Sequence, residues 1–171
     1  MDKTKRQLKE KIFKSITEGL SLNGFERSKS TFWVRQKTNS IQFIHIHTFS
    51  YAYSFRVHLG IRVKNDSFDA TALNGPCTRD GWWETKKLFS KKRSLQFSDD
   101  LEVINKCAGN IIEYVETVGV PWFDQFKDEN ELLVNEKSPL GDEEKKLLKD
   151  MMNEMANEEN LKLSNKVLGI K

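Results

Sequence analysis

The sequence predicts an α+β fold: an antiparallel sheet of four to six strands, with an N-terminal helix and a central helix packed on one face and a C-terminal helical tail. Two observations predict it. Apolar residues recur at helical spacing at the start and in the second half of the chain, whereas residues 25–63 are rich in β-branched and aromatic residues. This segregation is typical of α+β proteins. We expect residues 1–127 to form this domain and residues 128–171 to be a helical extension packed on it.

The predicted helices follow from apolar spacing and from their end signals. The first spans residues 4–22, because Thr4 and Gln7 have the spacing of a capping box and Gly24 can end a helix. A central amphipathic helix is predicted over residues 99–118. Pro121 begins a short helical plug, since proline is favoured in the first turn of a helix. Two further amphipathic helices are predicted in the tail.

The predicted strands are segments of high β-propensity or strict alternation. Residues 55–63 give the clearest pattern, because Val57 and Leu59 point to one face of the sheet. Arg56 and His58 point to the other face. The other predicted strands are 25–27, 31–37 and 41–49, followed by 82–83 and 95–97, which flank a basic loop at 86–93.

The two long strands, 41–49 and 55–63, are predicted to form a hairpin. Pairing across the short loop between them places His45 opposite His58. In the same register, His47 lies opposite Arg56. The hairpin then has one apolar face and one face rich in histidine and arginine.

Composition excludes several classes of protein. The chain has 171 residues and a net charge of +3, and its 11 Phe and 4 Trp are atypical of a disordered protein. No apolar run approaches the ~18 residues of a membrane-spanning helix, and the N-terminus lacks the apolar stretch of a signal peptide. Two cysteines are too few for a disulfide scaffold. We therefore expect a cytoplasmic protein that does not contact a membrane.

Charge is unevenly distributed along the chain. Residues 1–64 carry 13 Lys or Arg against 4 Asp or Glu, whereas residues 101–171 carry 9 Lys against 15 Asp or Glu. All seven Arg lie at or before Arg93. Such asymmetry indicates either a basic binding half or two halves that attract each other within one fold.

Several short motifs follow one another along the chain. They are Leu22-Asn23-Gly24-Phe25, Thr31-Phe32, Phe55-Arg56-Val57-His58-Leu59-Gly60, Trp82-Trp83 and Val120-Pro121-Trp122-Phe123. Their order resembles a bacterial family, domain of unknown function 4304, which shows a Gly-Phe pair after its first helix, a strand that ends in Leu-Gly, a Trp pair and a Pro-Trp-Phe motif. The resemblance covers roughly residues 5–126 and implies a fold more than an activity. The family usually carries Gln where His47 stands and Asn where His58 stands.

We predict that the polar face of the hairpin binds another protein. It concentrates every histidine of the chain with two arginines, where an ordinary solvated strand face carries Thr, Lys, Glu and Ser. Arginine and aromatic residues are over-represented at interfaces. An alternative is that the C-terminal helices cover this face and pair their carboxylates with its arginines. The predicted partner-binding residues are Phe43, His45, His47, Tyr51, Arg56, His58 and Arg62.

The favoured function is a non-catalytic bacterial module that binds a protein, with toxin neutralisation or defence as its setting. The alternative is single-stranded nucleic-acid binding, in which basic residues contact phosphates and aromatic rings stack on bases. The residues for this alternative are Trp82, Trp83, Lys86, Lys87, Lys91, Lys92 and Arg93.

A third hypothesis is an enzyme or metal site that uses the three histidines. His45 and His47 share a face about 6–7 Å apart, and His58 could be a third zinc ligand. However, those strands carry no Asp or Glu, and Arg56 and Arg62 would repel a cation. The sequence also lacks phosphate-loop and nucleophile-elbow motifs. We therefore predict no metal site, no cofactor and no catalysis.

Overall fold

A computed structural model describes residues 3–78, 81–86 and 89–171, of which 3, 83–86 and 89–91 are described by their backbone alone. The fold is α+β, as predicted. Its strands are β1 (Glu26–Lys29), β2 (Phe32–Gln36), β3 (Ser40–Thr48), β4 (Phe55–Val63), β5 (Cys77–Thr78), β6 (Gly81–Lys86) and β7 (Phe89–Ser94). Its helices are α1 (Lys3–Ser21), α2 (Leu101–Tyr114), a π-helical segment (Val115–Gly119), α3 (Val120–Asp124), α4 (Glu131–Val134), α5 (Asp142–Met152) and α6 (Glu158–Leu168).

Strands β1 to β5 form one antiparallel sheet in which each strand pairs with its neighbour in the sequence. At its centre, β3 and β4 place His45 opposite His58. In the same ladder, His47 lies opposite Arg56. The predicted register is therefore confirmed, and it fixes which side chains share each face of the sheet.

Strands β6 and β7 form a separate two-stranded sheet. The prediction of a basic loop at 86–93 was wrong, because residues 89–94 form β7. The strand predicted at 95–97 was also misplaced, since within it Gln96 makes one isolated bridge to Ser54. Lysine and arginine are weak strand formers, and pairing with β6 outweighs that low propensity here.

Helices α1 and α2 cover the inner face of the main sheet. Trp33 on β2 is fully buried, and its Nε1 donates a hydrogen bond to Thr17 Oγ1 at 3.0 Å. The ring of Phe13 packs against the ring of Trp33 with 5.5 Å between their centroids. Ile44 and Leu59, which lie opposite each other, are buried in the same cluster. Each such buried side chain contributes roughly 1.5–3 kcal/mol to the free energy of unfolding.

Helix α6 covers one end of the outer face. Leu168 of α6 is fully buried there against a small apolar cluster of the sheet, formed by Val34, Ile41 and Phe43. Phe43 lies opposite Gly60 in the β3–β4 ladder, and its ring occupies the space that a Cβ on Gly60 would need. The other end of the same face, next to the loop that joins β3 to β4, is not covered by α6.

The C-terminal tail packs on both faces of the sheet. Leu132, Leu140 and Leu148 join the main core, whereas Leu168 covers the outer face. The Glu129 carboxylate accepts hydrogen bonds from the backbone N–H of Asn39 at 3.1 Å and from Ser40 Oγ at 2.5 Å, which fixes the turn between β2 and β3. Residues 128–171 are thus tied to the first half of the chain.

Candidate functional site

The uncovered end of the outer sheet face brings together most of the predicted partner-binding residues. We call this surface the open face, and it is positioned by β3, β4 and the loop that joins them. His47 and Tyr51 are exposed, and the other members are half-buried. The open face consists of His45, His47, Phe49, Tyr51, Arg56 and His58.

Aromatic rings stack across neighbouring strands in a row that runs from β2 into the open face. The rings of Phe32 on β2 and His45 stack at 4.3 Å between centroids with an interplanar angle of 15°, and His45 and His58 stack at 6.0 Å and 21°. The faces of these rings are therefore turned toward one another. Imidazole nitrogens lie on the ring edge, and Nδ1 of His45 is buried without a hydrogen-bond partner.

Arg56 is the permanently charged group of the open face. Its guanidinium lies 5.3 Å from the centroid of the Phe49 ring, a cation–π geometry. Its Nε is buried without a hydrogen-bond partner, and Arg56 forms no ion pair with any carboxylate of the described residues. Tyr51 is 85% exposed and lies 5.5 Å from Phe49 between ring centroids. The cation therefore lies over one ring, and that ring lies next to the exposed Tyr51.

The inner histidines of the open face are held neutral near pH 7. Burial, followed by the proximity of His58 and His47, lowers the pKa of His45 to about 4. Burial also lowers the pKa of His58, with Arg56 and His47 as further causes. A neutral imidazole has one donor and one acceptor nitrogen, so the open face can both give and receive hydrogen bonds.

The loop that carries Phe49 and Tyr51 is fixed from below by α1. The Lys5 ammonium donates to the backbone carbonyls of Phe49, Ser50 and Ala52 at 3.0, 3.1 and 2.8 Å, and Lys5 is itself buried. Three carbonyls use all three donors of an ammonium group. The open face is therefore preorganised on its loop side.

Two predicted partner-binding residues, Phe43 and Arg62, do not belong to the open face. Phe43 is fully buried under α6. Arg62 is 3% exposed and pairs with Asp66 at 3.0 Å, while its Nε donates to Ser164 Oγ of α6 at 2.8 Å. The reason is that α6 lies on this end of the sheet, which is the covering predicted as the alternative. The paired carboxylate, however, comes from the turn after β4.

Sequence patterns missed two residues that lie beside the predicted site. Phe32 stacks on His45, and pairing β2 with β3 could have identified it, because the two residues lie opposite each other. Cys77 is exposed on β5 and lies opposite His58 of β4. That strand has two residues and follows a turn-rich segment, so no periodicity marks it.

The three histidines do not form a metal site of the usual kind. His45 lies 6.0 Å from His58 and 6.2 Å from His47 between ring centroids. Within residues 3–78, 81–86 and 89–171, no group of three His, Cys, Asp or Glu side chains converges closely enough to hold a metal ion.

The residues of the nucleic-acid alternative are divided between the core and the surface. Trp82 is buried, and its Nε1 donates to the carbonyl of Asn110 at 3.1 Å. Arg93 pairs with Glu113 at 2.8 Å, whereas Lys92 is exposed. Trp83 and Lys86 lie on β6 and Lys91 lies on β7, and Lys87 is outside the described residues.

No known protein family, curated protein or solved structure matches this chain. Among the helices of the described residues, none combines the length and the apolar character that crossing a membrane requires.

Proposed function

We propose that this protein is a non-catalytic binding module whose open face binds another protein. The observation that carries the proposal is the state of Arg56, which lies over Phe49 beside exposed Tyr51 and has no carboxylate partner in the described chain. Arginine and tyrosine are the residues that most often dominate the binding energy of protein interfaces. Neutral imidazoles beside them add hydrogen-bonding groups with a small desolvation cost.

Two features favour a protein over single-stranded nucleic acid as the partner. Base recognition on a sheet uses aromatic rings that lie flat and free to stack. Here Phe32, His45 and His58 stack on one another instead. In the second basic region, Trp82 and Arg93 are engaged by α2 residues Asn110 and Glu113.

The setting of the proposed function is drawn from a general association. Small bacterial proteins without catalytic motifs often act by binding another protein, and we propose a cytoplasmic role in toxin neutralisation or defence. This part of the proposal is an argument by analogy.

A capture experiment with matched variants tests the proposed function. Tagged wild type and the double variant Arg56→Ser, His58→Ser are incubated with native lysate, and bound proteins are identified by mass spectrometry. The control is Arg6→Ser, Lys106→Ser, since both residues are exposed on helices that cover the opposite face of the sheet. Proteins captured by wild type and control, and lost from the open-face variant at an unchanged melting temperature, support the proposal. Equal capture by all three would overturn it.

A further inference from the structure

We propose that the open face binds a carboxylate-bearing, acidic segment of its protein partner, with Arg56 as the anchoring cation and His47 and His58 as hydrogen-bond donors. This inference rests on the proposed function and specifies the chemistry of the partner. It follows from charge, from the unused donors of Arg56 and from the histidines next to it.

The first argument is charge complementarity. The open face carries the guanidinium of Arg56 and contains no Asp or Glu. At its rim, Lys29, Asp69 and Lys166 line one cleft beside Phe32, so cations outnumber anions there as well. A partner segment with several carboxylates would meet an attractive field at this end of the sheet.

The second argument is the unused donor capacity of Arg56. Within the described residues its guanidinium makes a cation–π contact with Phe49 and no hydrogen bond. Compare Arg62, whose guanidinium donates to Ser164 Oγ and to three backbone carbonyls besides pairing with Asp66. A guanidinium matches a carboxylate with two parallel hydrogen bonds, which makes a carboxylate the ligand that fits Arg56 best.

The third argument concerns the histidines next to Arg56. His47 is exposed and lies opposite Arg56, while His58 lies two residues further along β4. Each imidazole can donate one N–H to a carboxylate that is bound by Arg56. The charged and titratable groups around these rings are Arg56, His45 and Cys77, with Lys29, Asp69 and Lys166 at the rim.

The test uses fluorescence anisotropy with three labelled probes: decaglutamate, decaglutamine and a ten-nucleotide oligothymidylate. At pH 7 and low salt, wild type should bind decaglutamate and not decaglutamine. Arg56→Gln should weaken binding roughly tenfold, as expected for loss of an interfacial charge, and Arg6→Gln on α1 should leave it unchanged. Because Arg56 is half-buried, a second variant, His47→Glu, places a repelling carboxylate on an exposed position. It should abolish decaglutamate binding at an unchanged melting temperature.

A second double variant tests the role of the imidazoles. His47→Phe, His58→Phe keeps a ring at each position and removes both N–H donors, so it should weaken decaglutamate binding at pH 7. Unchanged affinity for decaglutamate would overturn the assigned role of the histidines.

Several outcomes overturn the proposal, and they differ in what they say about the proposed function. If the open-face variant loses partner capture while decaglutamate binding is absent or insensitive to Arg56, the partner is not acidic but the proposed function stands. If capture is also unaffected, both fail. Arg56-dependent binding of the oligonucleotide that is tighter than that of decaglutamate would assign the face to nucleic acid. Sedimentation of wild type as an Arg56-dependent dimer would assign it to the acidic half of a second copy.

Discussion

Phe43 and Gly60 show how a single position decides the packing of the outer sheet face. The two residues lie opposite each other on β3 and β4, and the Phe43 ring covers the glycine. An aromatic ring over a glycine restores apolar contact where the strand lacks a side chain. The same close approach leaves no space for a larger residue at position 60.

We expect Gly60→Ala to destabilise the protein by about 1–3 kcal/mol, because the new Cβ must displace the buried Phe43 ring. Urea unfolding measures the change in free energy. The control is Gly109→Ala on α2, where a Cβ meets nothing within 4 Å. Since alanine is the better helix former, this control should stabilise the protein by about 0.5–1 kcal/mol. Equal effects of the two substitutions would contradict the packing argument.

His45 makes stability depend on pH. Its pKa is lowered to about 4 by burial, with His58 and His47 as further causes, whereas in an unfolded chain it takes up a proton near pH 6.5. Between these pH values the unfolded state binds more protons, so stability falls as pH falls from 6.5 to 4. Above pH 6.5 the contribution is constant.

We expect His45→Gln to reduce the loss of melting temperature between pH 7 and pH 5. Thermal unfolding followed by circular dichroism measures it. Lys106→Gln is the control, because Lys106 is exposed on α2, which covers the opposite face of the sheet. Identical profiles for wild type and His45→Gln would contradict the lowered pKa of His45.

At the scale of elements, α6 divides the outer face into a covered end and the open face. Its first turn is fixed by Asn65, whose Oδ1 accepts from the backbone N–H of Asn157 at 2.9 Å. Its middle is fixed by Ser164, which accepts from Arg62 Nε, and its end is fixed by Leu168. Polar contacts thus set the position of the helix, and one apolar cluster packs its C-terminal end against the sheet.

We expect Ser164→Ala to destabilise the protein by about 1–3 kcal/mol, because it leaves the buried Arg62 Nε without its acceptor. Urea unfolding measures this change, and hydrogen exchange should show faster opening of α6. Lys162→Ala on the same helix is the control. Its ion pair with Glu158 spans 3.8 Å at the exposed surface, so the change should stay within about 0.5 kcal/mol. A loss as large as that from Ser164→Ala would mean that α6 responds to any substitution.

The sequence was sufficient to predict the central hairpin of the sheet but not what covers it. Strict alternation in residues 55–63 and a short loop determine the pairing of His45 with His58, because both signals are local. The burial of Phe43 depends on Leu168, and that of Arg62 depends on Ser164, which lies 102 residues later in the chain. Apolar spacing predicted a helix in that region, but periodicity does not reveal which face of a sheet a helix covers.

The error at β7 has a different cause. Lys91, Lys92 and Arg93 resemble a solvated loop in composition, yet they pair with residues of β6. A strand of this kind is stabilised by pairing with its partner strand more than by its own propensity. A prediction made from this segment alone therefore assigns it to a loop. Leu95 and Phe97, which predicted the strand, are instead buried in the main core.

At the scale of the whole molecule, the C-terminal tail and the sheet stabilise each other. Leu132, Leu140 and Leu148 lie in the same cluster as Trp33 of β2, and Glu129 holds the turn between β2 and β3. Removal of residues 128–171 would uncover apolar surface on both faces of the sheet. The tail is therefore expected to unfold together with the sheet.

We expect a single cooperative unfolding transition, with equal calorimetric and van't Hoff enthalpies. Differential scanning calorimetry measures both quantities. The fluorescence of the tryptophans and the circular dichroism of the helices should change at the same temperature. Two separate transitions, the lower one confined to helical signal, would show that residues 128–171 unfold independently.

The contacts of Glu129 and Ser164 also determine when the outer face closes during synthesis. They bind Ser40 and Arg62 across sequence separations of 89 and 102 residues. At about 5–20 residues per second, a ribosome needs roughly 5–20 s to add that length of chain. After β4 is made, Val34, Ile41 and Phe43 have no cover until α6 is added. The nascent chain therefore presents an apolar patch that chaperones can recognise until α6 emerges and docks.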